Sequence, residues 1–291
     1  MAAKDLLLTR RALKPGRLFY SAASAAVIFI LASGGLQAQG NLLITPKRLV
    51  FEGSRRSMDL NLANVGKDTA VYVISFVQVR MKEDGNFEAI TEPDPGQMFA
   101  DKFVRIFPKN VKLGPGEAQV VKLQLTRTEE LSEGEYRSHL YFRAVPKEDP
   151  LGEPEIKDTT TFTVRLTPIF GITIPVIIRS GNTRVSASIS DLSLEYVTDT
   201  IPRLNMKFNR TGNMSVYGDL VVNHVSPQGK VTRVGAANGI AVYTPNPVRR
   251  FTLNLNPPKG TNLRSGKIRV TYSAPSDVRP EKYAEAELVV R

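Results

Sequence analysis

From residue 42 onward, apolar and polar positions alternate with a period of two. No long stretch carries the three-to-four-residue spacing of an amphipathic helix. That pattern predicts strands with one buried face. In the first half the candidates are LLITPKRLVF (42–51), MDLNLANV (58–65), AVYVISFVQVRM (70–81), KFVRIFP (102–108), AQVVKLQLT (118–126), YRSHLYFRAV (136–145) and a long run, TFTVRLTPIFGITIPVIIR (161–179). EGSRRS, GKDT, KEDGN, LGPGE and LSEGE separate them with turn-forming residues. Seven short strands without repeats or helices predict an immunoglobulin-like sandwich. After RSGNT (179–183) the alternation restarts in RVSASISDLSLEYV, RLNMKFNRTGN, GDLVVNHVSPQGK, GIAVYTP, RRFTLNLNP, GKIRVTYSA and AEAELVV, a second strand set. The expected fold is therefore all-β: two tandem immunoglobulin-like sandwiches, 39–180 and 181–291, with a cleft where they meet.

The stretch before residue 39 has a different character. A basic opening, MAAKDLLLTRRALKPGR, precedes LFYSAASAAVIFILASGGL, which carries no charge, and small residues lead to Ala38. This order predicts an export signal over 1–38, cleaved within GLQA|QG, with an uncleaved single-span anchor as the alternative. Either outcome delivers the remainder across the inner membrane, to the periplasm.

Composition narrows the chemistry. With no Cys and only His139 and His224, cysteine-ligated metal centres, thiolate nucleophiles and multi-histidine sites are excluded. The chain has no G-x-S-x-G elbow, H-E-x-x-H or glycine-rich phosphate loop, so no enzyme and no cofactor are expected. A glycan-binding or hydrolytic wall enzyme suffers further from the lack of Trp and of a paired acid and base. Net charge divides unevenly: five basic residues to one acidic in 1–38, 19 to 19 in 39–180, and 15 to 8 in 181–291. The excess positive charge of the last segment is scattered along strands, so nucleic acid is not an expected partner.

Two features remain. In the run 161–179 Phe162, Val164, Leu166, Phe170, Ile172, Ile174 and Val176 share the even phase, and Pro168 and Pro175 interrupt it. A strand carrying two prolines belongs at an edge or bulge. A long apolar edge is either covered by the protein's own core or is a template for a foreign strand, and an unoccupied one invites self-association. The second feature is Arg48, which shares phase with Leu42, Ile44 and Val50. A guanidinium on an apolar face needs a carboxylate or several acceptors. The alternative is that Pro46 shifts the phase and turns Arg48 to water.

The segments ITPKRLVFEGSRRSMDLNLANVGKD, FPKNVKLGPGEAQVVKLQL and YRSHLYFRAVP, in this order, resemble the PapD-like periplasmic chaperones of fimbrial assembly, a likeness covering roughly residues 41–180 well and the remainder more loosely. The resemblance implies a boomerang-shaped, two-domain, ATP-independent chaperone. Such a protein lends its last first-domain strand to pilus subunits that lack their own and passes them to an outer-membrane usher. It implies donor positions Phe162, Val164, Leu166, Phe170 and Ile172, and Arg48 as the anchor for a subunit's C-terminal carboxylate. The family's second anchor, a lysine shortly before that strand's terminal arginine, is missing here. Thr173 and Pro175 stand near its place, so another cation substitutes or the terminus is held differently. The competing expectation is a structural or adhesive surface protein built from immunoglobulin-like modules.

Overall fold

The first strand divides at Pro46. Lacking an N–H, proline cannot continue a ladder, and the chain crosses there from one sheet to the other. In the computed structural model, which describes residues 42–146, 169–198, 200–275 and 281–290, β1 (Leu42–Thr45) precedes this point and β2 (Leu49–Phe51) follows it. β1 pairs antiparallel with β3 (Ser57–Asn64). Next come β4 (Ala70–Val77), β5 (Val79–Met81), β6 (Phe87–Ala89), β7 (Val104–Phe107), β8 (Asn110–Leu113), β9 (Ala118–Leu125), β10 (Gly134–Ala144) and β11 (Gly171–Ser180). One sheet has the order β1-β3-β9-β7 and the facing sheet the order β2-β11-β10-β4-β8. This is the immunoglobulin arrangement, with its first strand shared between sheets. Leu60, Leu62, Leu123, Leu140, Phe142 and Val176 fill the interior between them.

The second sandwich comprises β12 (Val185–Val197), β13 (Ile201–Gly212), β14 (Val216–Val225), β15 (Val231–Val242), β16 (Val248–Asn254), β17 (Gly266–Ser273) and β18 (Lys282–Val290). The sheet β12-β13-β16 faces β15-β14-β17-β18 over Leu204, Phe208, Leu220, Val222, Val270 and Tyr272. His224 is buried and its Nε2 lies 2.8 Å from the Ser265 carbonyl, a structural role. Gly218 sits at a register shift in β14, where a Cβ would stand 2.2 Å from the Ser273 carbonyl oxygen. Backbone cannot retreat as a flexible side chain can. Gly218→Ala is expected to cost about 1–3 kcal/mol, read as a lowered urea midpoint.

The all-β expectation and its two strand sets are what the chain adopts; among the described residues no α-helix occurs and none is long and apolar enough to cross a membrane. Two short strands fall outside the alternating runs read from the sequence, β6 and β8. The expected run 161–179 is corrected in its described part: Ile169 and Phe170 precede the strand, which begins at Gly171.

A third, smaller apolar cluster joins the sandwiches: Met81 and Ile177 from the first, Ala241 and Tyr243 from the second, flanked by Val50 and Tyr217. The hairpin β5–β6 reinforces this junction. Its turn residue Glu83 accepts from the Arg250 amide at 2.6 Å and from the Arg250 side chain at 3.1 Å, and Asn246 donates to the Met81 carbonyl. Gly85 is favoured there by its φ of 86°, a left-handed conformation that residues with a side chain rarely adopt.

Candidate functional site

Three elements of the first sandwich converge on this junction: the β1–β2 link, the outer face of β10 and the edge of β11. β10 is the central strand between β11 and β4. Tyr136, Leu140 and Phe142 point into the core, while Glu135, Arg137 and His139 point away from it. In an isolated domain those three polar side chains would meet water. Here the second sandwich covers them, leaving them 1%, 2% and 5% exposed.

Each polar group finds a different solution. The Glu135 carboxylate accepts from the Ser215 amide at 3.0 Å and from its hydroxyl, and pairs with Arg179 Nε at 3.3 Å. Ser215 Oγ in turn accepts from the Thr244 amide at 3.0 Å. This charged latch ties the end of β11 to the second sandwich. Arg137 is less well served: Nη2 reaches the Thr244 carbonyl at 3.4 Å, and Nε and Nη1 have no hydrogen-bond partner. Its guanidinium carbon lies 4.4 Å from the Tyr243 ring centroid. Burial pushes its pKa down; Tyr243 and Glu135 oppose that shift and Arg48 adds to it.

Arg48 completes the cluster. Phase had grouped it with Leu42, Ile44 and Val50; the structure corrects this, because after Pro46 the buried positions are Leu49 and Phe51. Crossing between sheets inverts which side of the strand faces the core. Arg48 does not turn to water either. Its guanidinium lies 4.5 Å from the Tyr217 ring centroid and 5.5 Å from that of Tyr243, and Nη1 donates to the Tyr243 hydroxyl at 3.0 Å. Among the described residues neither Arg48 nor Arg137 makes an ion pair. A buried cation and a partly buried one thus share one tyrosine, with no carboxylate of the described residues between them.

His139 lies beside them, its Nδ1 unpartnered and its ring against Phe87 and Tyr243 with centroids 5.5 and 6.5 Å away. Burial, and then the charges of Arg137 and Arg48, hold the imidazole down to about 3 from its ordinary 6.5. The folded ring stays neutral where the unfolded one takes up a proton. Stability tied to this group is therefore complete above pH 6.5 and declines as pH falls toward 3. Between pH 6.5 and 5 the loss is about 1.5 kcal/mol. His139→Gln is expected to flatten that portion of the curve, measured by urea unfolding at the two pH values.

β11 supplies the second half of the site. Its whole length pairs with β10, but its other edge meets β2 only at Val176, Ile177 and Ile178, in parallel. Among the described residues no strand borders that edge from Gly171 to Pro175. Arg48 immediately precedes Leu49, the partner of Val176, so the open edge stops at Arg48. Of the expected donor positions, Phe162, Val164 and Leu166 lie outside the described residues. Phe170 is 41% exposed, whereas Ile172 packs against the first core that Ile174, Val176 and Ile178 enter. Along β11 itself the even face thus serves the protein's own interior.

No protein-family model matches the chain, and no curated protein matches it. Similar solved structures include the YadV chaperone (13% identity, 85% of this chain and all of that one, TM-score 0.43) and the Escherichia coli chaperone DraB (11%, 86% and 96%, TM-score 0.42). Another is the CsuC–CsuE chaperone–tip adhesion subunit pre-assembly complex of Acinetobacter baumannii Csu pili (13%, 72% and 89%, TM-score 0.40).

Proposed function

We propose that the protein is a periplasmic chaperone that binds fibre subunits by lending them a strand, before an outer-membrane usher takes them up. One observation carries this reading: a backbone edge that no described strand pairs, ending at a cation. An extended segment added along Gly171–Pro175 can run in either direction. Antiparallel to β11 it would bring its free ammonium, or internal chain, to Arg48. Parallel to β11, collinear with β2, it brings its C-terminus there, and a terminal carboxylate matches the guanidinium fork. The site therefore selects a guest by its last residues and sets where they stop. The alternating apolar side chains upstream of Gly171 are the segment offered to the guest's groove, and the resemblance of residues 41–180 to PapD-like chaperones agrees with that role. No bound nucleotide is required, because completing the guest's sandwich releases the free energy of apolar burial.

The test is recovery of the protein from periplasmic extract through a C-terminal tag, followed by mass spectrometry. An immunoglobulin-like subunit lacking its final strand is the expected companion. Recovery of the protein as a covalent or polymeric constituent of a surface fibre would instead establish the structural or adhesive alternative.

A further inference from the structure

The cluster at the junction holds more positive charge than a single anchor needs. Arg137 is 2% exposed, yet Nε and Nη1 donate to nothing. A buried donor without an acceptor is costly, and more so when it is charged. Among the described residues its neighbours are engaged elsewhere or are neutral. Glu135 is committed to Ser215 and Arg179, and Tyr243 offers its ring to Arg137 and its hydroxyl to Arg48. His139 Nδ1 is unsatisfied at the same place. Two unpartnered N–H groups on one buried guanidinium, beside a second cation whose partners among the described residues are tyrosines, are complementary to an anion.

Resting on the function proposed above, we propose that Arg137, on β10, is the second cation of the carboxylate seat. It supplies from the neighbouring strand the charge that Thr173 and Pro175 of β11 cannot. Register places it correctly: His139 lies opposite Pro175 and Arg137 opposite Ile177, the stretch where β2 begins and the open edge ends. The entering carboxylate replaces the Tyr243 hydroxyl as acceptor for Arg48 and takes the free N–H groups of Arg137. Tyr243, in contact with both guanidinium groups, is the side chain that moves. The seat accepts a terminal carboxylate and rejects its amide, which offers no charge to either arginine.

The chain has two histidines, and only His139 is at the seat, so its ring signals in nitrogen-edited NMR report occupancy while His224 serves as internal control. Titrating the mature chain with N-acetyl-L-phenylalanine is expected to move the His139 signals, and N-acetyl-L-phenylalaninamide to leave them in place. Arg137→Met should weaken the acid about tenfold, with Arg137→Lys recovering part of the loss. Wild-type affinity for the acid in Arg137→Met would overturn the assignment and leave Arg48 the sole anchor. Equal responses to acid and amide in the unmodified protein would also overturn it, with no variant needing to fold. Failure of the chaperone reading is a separate result, an absence of subunits from the periplasmic recovery.

Discussion

Arg48→Ala abolishes subunit recovery while the protein remains folded: this is the expected outcome of a co-purification paired with a thermal melt. The side chain makes one hydrogen bond to the Tyr243 hydroxyl and lies over two tyrosine rings. Losing these contacts costs about 1 kcal/mol of stability. For a guest the loss is far greater, because the carboxylate would be buried at the junction without its fork, a penalty of about 3–5 kcal/mol and hence a hundredfold or more in affinity. Full-yield recovery of subunits by the variant would show that the end of the β11 edge does not hold the guest's terminus.

Glu135→Ala is expected to have the largest effect on stability. The carboxylate is 1% exposed and joins Arg179 of β11 to Ser215 of the second sandwich. Removing it leaves Arg179 its pair with Glu52 at 3.3 Å and the Ser215 carbonyl, but strands two buried Ser215 donors and breaks the tie between the sandwiches, at a cost of about 2–4 kcal/mol. Arg179→Ala should do comparable damage by leaving the carboxylate without its cation. The double variant should fall short of the sum, since the second removal ends the imbalance created by the first. Additive costs in urea unfolding would show that the two groups act independently.

Much of the architecture was legible in the alternation. Strands such as β3, β9 and β14 bury every second residue, as a half-covered sheet requires. Arg48 was singled out by its phase, for a reason that the strand crossing at Pro46 then replaced: it faces the second sandwich rather than the first core. Arg137 and Tyr243 escaped notice because β10 carries polar residues on its outer face, a pattern indistinguishable from a solvated strand. What buries them lies about a hundred positions downstream, and local periodicity holds no trace of such a contact. His139 lies on the same face, and the covering sheet makes it buried and neutral.

The division of the first strand carries a consequence for how guests of different length are accommodated. β2 occupies the far half of the β11 edge and acts as a doorstop. On the function proposed above, a segment added along the free part of that edge would halt at this place, so guest tails would be aligned to one mark. Lengthening the chain ahead of Gly171 would add grip at the opposite end without moving that mark, which lets one scaffold serve clients whose grooves differ in reach.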